Sequence, residues 1–364
     1  MNRKCLMTAS TISHLSHFHK PYIDELRKMG WEVHAAGAQA GTLKTELFAD
    51  KIIPVQFEKS FLSVSNFRAA AQLRKLMKQE RYDLIICHTS LAAFFTRLAV
   101  LGLKKDTKLI NVAHGYLFDE SSPWFKCIVF QMAEFVVSPV TDLVLTMNDW
   151  DYQWARTHKV AKSVGIIPGM GVDDEKMQKA ARPNRFGFKD DDFVLIYPAE
   201  FSKRKNQAML IRAMTRLPER VKLVLPGEGA LLEDCRSLVQ WFAVAERVVF
   251  PGYVREIGGA LSGADAAVTS ARSEGLPFNV LEAMHSGLPV IASAVKGNTD
   301  LVHDGVNGLT DPYDDADAFA DAVLRLMDDD KLRRSMGQAG KEMVKQYTLD
   351  EVLPKVMQEY FSVL

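Results

Sequence analysis

The sequence predicts an α/β protein made of two Rossmann-like, doubly wound parallel-sheet domains facing each other across a cleft. Three observations lead there. At 364 residues the chain is longer than one hydrophobic core comfortably serves. Short, continuous apolar runs alternate with amphipathic stretches almost without break, as in parallel strands covered by helices on both faces. The scheme also runs twice, once on each side of Gly169-Met170-Gly171-Val172-Asp173.

In the first half, strands are expected at Cys5–Ser10, Glu32–Gly37, Lys51–Gln56, Asp83–His88, Lys108–His114, Leu143–Asn148 and Val164–Pro168. Helical patterns fill the gaps at Tyr22–Met29, Asn66–Gln79, Ala92–Leu103 and Trp124–Val137. In the second half, strands are expected at Phe193–Glu200, Val221–Gly227, Arg247–Gly252, Ala266–Ser270 and Pro289–Ala294. Helices are expected there at Asn206–Arg216, Ala230–Val244, Ile257–Gly263, Pro277–His285, Ala316–Met327 and Lys331–Tyr347. The domains are thus residues 1–172 and 173–348, with charged, proline-containing sequence (Asp173–Pro183) just after the boundary. Residues 349–364 form a separate amphipathic helix whose candidate partner is the first domain.

Composition removes several function classes. Apolar residues are 48% and charged residues 25%, ordinary for a soluble globular protein. A net charge of zero gives no bulk electrostatic case for nucleic acid. The charge is unevenly placed, however: residues 1–170 hold 21 Lys+Arg against 15 Asp+Glu. That basic half suits an anionic membrane surface or a phosphate-bearing acceptor. Cys5, Cys87, Cys127 and Cys235 are far apart with no CxxC pair, the usage of a reducing compartment and not of a structural zinc site. The start, MNRKCLMTASTISH, shows no secretory h-region. The most membrane-like segment, Cys127–Val140, is too short to span a bilayer and carries Glu134, so a buried helix is expected. The expected location is cytoplasmic, peripheral on the inner face of the membrane.

In open parallel sheets ligands bind beyond the carboxyl ends of the strands. The loops to inspect begin at Ser10, His88, His114, Asn148, Glu200, Gly227, Ser270 and Ala294. The most informative runs from Ser270 through Glu274, Gly275 and Pro277 to Glu282. Pro277 suits the first position of a helix, where its missing N–H costs nothing. The N–H groups around Phe278 and Asn279, with the positive end of the helix dipole, make a ready diphosphate site. Glu274 before the helix and Glu282 within it border one ligand, each able to accept from sugar hydroxyls.

This segment resembles the E-x7-E signature of glycosyltransferase family 4, retaining enzymes of the GT-B fold. Tyr197–Gln207, with Lys203, Arg204 and Lys205, and Ala294–Leu309, with Gly297 and Asn298, resemble further stretches of that family in order and spacing. The first half is similar to its capsular and exopolysaccharide branch at Thr8–His14, Phe18–Tyr22, Gly30–His34, Cys87–Ser90, Ala113–Gly115 and Thr146–Asp149. The resemblance implies that Glu282 holds the ribose hydroxyls, Glu274 the transferred sugar and Lys205 the leaving diphosphate. It implies that backbone groups at Leu276 to Asn279, Gly297 and Asn298 cradle the phosphates. It places His114 at the reacting face of the sugar. In the first loop Ser10, His14 and His19 are acceptor-side candidates, with helix capping or a bond to a backbone carbonyl the alternative role of the two histidines. His34 and His88, at strand ends, read as structural.

The resemblance implies a nucleotide-sugar donor, with UDP the expected nucleotide. The basic first half and the aromatic-basic stretches Phe57–Arg81 and Trp124-Phe125-Lys126 suit docking on anionic lipid, so a polyprenyl-diphosphate-linked saccharide is the expected acceptor. No cofactor or metal is expected: Asp190–Asp192 and Asp328–Asp330 read as solvated turns, and cations already serve the phosphates. Two departures stand out. Glu200 occupies the place of an arginine that usually partners the loop lysine, so that role is either lost or, as three adjacent cations favour, passes to Lys203 or Arg204. Ser10-Thr11-Ile12-Ser13 replaces a Gly-Gly pair. Alternatives on the same fold are a sugar-nucleotide epimerase and a catalytically silent nucleotide-sugar-binding protein. A nicotinamide dehydrogenase is excluded, since no GxGxxG follows the first strand.

Overall fold

The computed structural model describes residues 3–39, 48–58, 60–103, 106–173 and 183–364. Residues 174–182, most of the stretch expected to follow the boundary, lie outside the described residues. The chain divides into two compact units, Met1–Met170 with Val352–Leu364, and Gly171–Glu351.

The first unit carries a parallel sheet of seven strands, order β3-β2-β1-β4-β5-β6-β7. They are β1 (Lys4–Thr11), β2 (Glu32–Ala38), β3 (Lys51–Pro54), β4 (Leu84–His88), β5 (Lys108–Val112), β6 (Leu143–Thr146) and β7 (Ser163–Ile166). Register is set from Cys5, which faces Val33 on one side and Leu84 on the other. All five residues of β4 are buried, as a strand covered on both faces requires. The Leu349–Phe361 helix sends Val352, Val356, Met357 and Tyr360 into the interior of this unit. Tyr360 meets the Tyr22 ring at 6.2 Å and Phe361 meets Trp31 at 6.1 Å.

The second unit carries six strands, order β10-β9-β8-β11-β12-β13. These are β8 (Phe193–Ile196), β9 (Val221–Val224), β10 (Val248–Val249), β11 (Ala266–Thr269), β12 (Val290–Ser293) and β13 (Gly308–Asp311). In both sheets the order reverses beside the first strand of the unit, and ligands of such sheets bind at that switch point.

Several expected strands end sooner than their apolar runs suggest. β5 stops at Val112, leaving His114 in a loop, and β8 stops at Ile196, leaving Glu200 in one. Residues at the carboxyl edge leave the ladder to form the ligand loops. Pro277 precedes its helix as N-cap, one position earlier than expected, and the helix proper is Phe278–His285. Among the elements that the apolar pattern does not predict, two have a clear local cause. The helix Asp149–Thr157 is polar in sequence but is capped by Asn148, whose side chain accepts from the Asp151 amide at 2.8 Å. β13 begins at Gly308, where any Cβ would lie 2.1 Å from the Val290 carbonyl oxygen, so close strand pairing demands glycine.

The expectation of a buried helix over Cys127–Val140 is overturned; the helix itself spans Trp124–Val137. Only Glu134 and Val137 are buried, while Trp124 is 75% exposed and Phe125, Ile128, Val129 and Met132 are each more than half exposed. Glu134 turns inward because Arg97, fully buried on the Ser90–Val100 helix, donates to both its oxygens at 2.8 Å. The charge that argued for burial of the whole helix buries only its own face.

Candidate active site

In the second unit the loop after β8 meets the loop after β11. Arg204 Nη1 donates to Glu274 Oε2 at 2.5 Å and Lys205 Nζ to Glu274 Oε1 at 2.6 Å. Arg204 also donates to the Ser273 carbonyl at 3.2 Å, and the Ser270 hydroxyl donates to the Lys205 and Asn206 carbonyls. Two loops far apart in sequence are thereby locked around one carboxylate. Glu274 is buried, and Lys205 nearly so. Burial lowers the pKa of the Lys205 ammonium; Glu274 opposes that shift and Arg204 adds to it. Lys203 is exposed beside them. Glu200 is also exposed; its carbonyl accepts from Gln207 Nε2 at 3.0 Å, and its charge helps to hold the proton on Lys205.

Gly297 backs this site. Its φ of +82° and a Cβ position only 2.7 Å from the Glu274 carbonyl oxygen leave room for no side chain. Its amide donates to Asp300 Oδ2 at 3.0 Å. Asn298 is buried and donates to Ser293, while its Oδ1 has no partner among the described residues. Gly275, Leu276 and Pro277 are buried ahead of the Phe278–His285 helix, whose early amides lack helical acceptors, and Phe278 and Asn279 are half-buried. Glu282, on the same helix, accepts from the Ser286 amide and hydroxyl through its carbonyl, while its carboxylate has no hydrogen-bond or ion-pair partner among the described residues. Burial without a cation raises its pKa to about 7. The geometry therefore offers cations, a buried carboxylate and a helix start in one place, which is what a sugar diphosphate requires.

The first unit has its own cluster at its switch point. Ser10, near the end of β1, pairs with Thr89 through both hydroxyls at 2.7 Å. The chain after β1 runs through a π-helical turn, Leu15–His19, into the Lys20–Lys28 helix. The wider turn brings His14 and His19, five residues apart, to ring centroids 5.2 Å from one another. His114, after β5, lies 5.2 Å from His14 and 5.4 Å from His19. His88, at the end of β4, stacks on His19 at 3.7 Å and pairs with His114 Nε2 at 3.3 Å through its Nδ1. His88, which reads as structural from the sequence, lies inside this cluster and not apart from it. Burial holds all four imidazoles neutral, lowering the His14 pKa to about 4 and that of His114 to about 3. His19 and His88 lie well below the usual value, by burial first and then by neighbouring imidazoles. His34 stands apart, bonded to Tyr82 and Glu32.

Residues 178–343 match the family described as "Glycosyl transferases group 1", and residues 5–145 match "Glycosyl transferase 4-like". A Bacillus subtilis (strain 168) protein, EpsD, is 31% identical over 359 residues, 96% of this chain and 93% of its own. The chain belongs to the group 1, family 4-like glycosyltransferases. The transferase is also 24% identical to an Escherichia coli UDP-Gal:alpha-D-GlcNAc-diphosphoundecaprenol alpha-1,3-galactosyltransferase, over 83% of this chain and 81% of that one. Among solved structures it is similar to Anabaena Alr3699/HepE in complex with UDP and glucose, with a TM-score of 0.79 at 18% identity, covering 99% of this chain and 100% of that one. The fold is therefore GT-B, two parallel-sheet α/β domains.

Proposed function

We propose that this transferase moves a hexose or N-acetylhexosamine from a UDP-sugar to a polyprenyl-diphosphate-linked saccharide in surface polysaccharide synthesis, with retention of configuration. The observation that carries the donor reading is Glu274 held between Arg204 and Lys205 beside the start of the Phe278–His285 helix. In the free site the carboxylate neutralises the two cations. An incoming diphosphate takes over the cations, and Glu274 turns to the sugar hydroxyls. As the bond to the leaving group breaks, Lys205, Arg204 and the Leu276–Asn279 backbone stabilise the developing negative charge, each well-placed donor contributing about 3 kcal/mol. Glu282 accepts from the ribose. With these cations on the diphosphate, transfer needs no metal cofactor and proceeds in chelator.

Supporting the donor and the acceptor, HepE is described in complex with UDP and glucose, and the Escherichia coli relative is named for a UDP-Gal donor and a diphosphoundecaprenol-linked sugar. Among the described residues no helix is long and apolar enough to cross a membrane. The exposed apolar face of Trp124–Val137, continued by exposed Leu62, Val64 and Phe67, supports docking on a lipid surface. Phe61 joins the two parts, its ring 5.8 Å from that of Phe130. His114 is assigned to the reaction from the N-terminal unit.

Thermal shift with UDP-, GDP- and dTDP-sugars, on the wild type and Glu282→Ala, tests the donor site. One nucleotide stabilises the wild type, and the shift shrinks in the variant. Stabilisation by none of them refutes the reading.

A further inference from the structure

Glycosyl transfer does not account for all of the imidazoles gathered beyond β1, β4 and β5. His19 is fully buried, yet neither its Nδ1 nor its Nε2 has a hydrogen-bond partner among the described residues. A neutral imidazole carries one N–H donor and one lone pair, so both are left desolvated, which buried polar groups in native proteins rarely are. His14 Nε2 is buried and unpartnered as well. His14, His19 and His114 each offer a ring nitrogen, and the three atoms all lie within 4.8 Å of one another. The π turn produces this arrangement, since ordinary α-helical winding would point residues 14 and 19 in different directions.

We propose that His14, His19 and His114 form a binding site for a borderline-soft divalent cation of the zinc class. Three neutral nitrogen donors without a carboxylate suit Zn²⁺, Co²⁺, Ni²⁺ or Cu²⁺ and disfavour Mg²⁺ and Ca²⁺, which take oxygen ligands. Nitrogens on one tetrahedral zinc stand about 3.4 Å apart at zinc–nitrogen distances of about 2.0–2.1 Å, so modest ring rotations close the gap. His88, whose Nδ1 lies 3.3 Å from His114 Nε2, is placed to supply the outer contact that fixes a ligating imidazole. Water fills the fourth position. A cation there occupies the imidazole that the transferase reading assigns to the reaction, so it inhibits transfer. That consequence rests on the transferase reading; the site itself does not.

The test uses the full-length, tag-free protein stripped by chelator, titrated with Co²⁺ and followed by its visible absorption, and with Zn²⁺ by calorimetry. One ion per chain is expected, with no competition from Mg²⁺. His14→Ala and His19→Gln each weaken binding more than about 10-fold, whereas His17→Ala, exposed on the same turn, binds like the wild type. Thermal melts check that the variants fold; His14 is only half-buried, so His14→Ala decides the matter if His19→Gln does not fold. Absence of stoichiometric binding to the wild type overturns the site, as does unchanged binding in His14→Ala. Zinc that binds without inhibiting leaves the site standing and removes His114 from the reaction. Cobalt binding without any stabilisation by UDP-sugars leaves the site standing and removes the transferase reading.

Discussion

Glu274 and Glu282 are eight residues apart on one loop and helix, and their surroundings give them opposite characters. Glu274 is buried between two cations, whereas Glu282 is pushed by burial to about 7 from its ordinary value of 4.5. A carboxyl with a raised folded-state value holds its proton where the unfolded chain has already lost it. Stability therefore falls as pH rises from about 4.5 to about 7, and the deficit persists above. Glu282→Gln removes that slope. Its melting temperature should exceed the wild type's above pH 7 by about 2–4 °C, taking the cost as on the order of 1 kcal/mol, and the advantage should vanish toward pH 4.5. In the proposed donor site a ribose hydroxyl donates to the ionised form, so on that reading nucleotide affinity of the wild type should rise severalfold from pH 6 to pH 8. Binding at pH 6 should then release a proton, visible as a calorimetric heat that depends on the buffer. A flat pH dependence of both quantities would remove Glu282 from the nucleotide site. The sequence suggests one ligand for the two carboxylates from their spacing, but it carries no sign of which of them a cation neutralises. That depends on Arg204 and Lys205, 70 and 69 residues away.

The helix Trp124–Val137 separates structural from surface roles along one element. Glu134 accepts a bidentate pair from buried Arg97, and truncating one member of such a pair leaves a buried charge alone, costing about 3–5 kcal/mol. Ile128 and Met132 point to solvent on the opposite side. Glu134→Ala should therefore lower the melting temperature strongly. Ile128→Asp with Met132→Asp should leave stability within about 0.5 kcal/mol and abolish sedimentation with anionic vesicles at low salt. Equal loss of vesicle binding in a stable Glu134 variant, or none in the double aspartate, would remove this helix from the proposed lipid docking. Periodicity could identify this helix but not its orientation. Its apolar residues run round most of the circumference, and the inward side is chosen by an arginine on another helix. The strands were legible for the contrary reason: parallel strands buried on both faces need only an apolar run. The π turn at Leu15–His19 left no such mark, because widening one turn changes no residue type. Hence His14 and His19 were visible as candidates, while their convergence with His88 and His114 was not.

At the scale of the whole molecule the N-terminal unit is assembled from both ends of the chain. Its last helix buries Val352, Val356, Met357 and Tyr360, and Tyr360 packs on Tyr22, whose hydroxyl donates to the Met170 carbonyl at 3.1 Å. Full burial of an aliphatic or aromatic side chain of this kind contributes about 1.5–3 kcal/mol, so the four together reach roughly the 5–15 kcal/mol stability of an entire domain. The helical periodicity of 349–364 defines an apolar face but says nothing about a partner more than 300 positions earlier in the sequence. A chain ending at Thr348 should lose the cooperative melting of the N-terminal unit. The Gly171–Glu351 unit keeps its strand order and most of its residues, and it should still melt as a separate transition that UDP-sugars stabilise. Scanning calorimetry with limited proteolysis would show this as one resistant fragment and one digested half. If the truncated chain melts like the full one, the helix is an appendage, and the aromatic contacts at Tyr22 and Trp31 contribute little to holding the unit together.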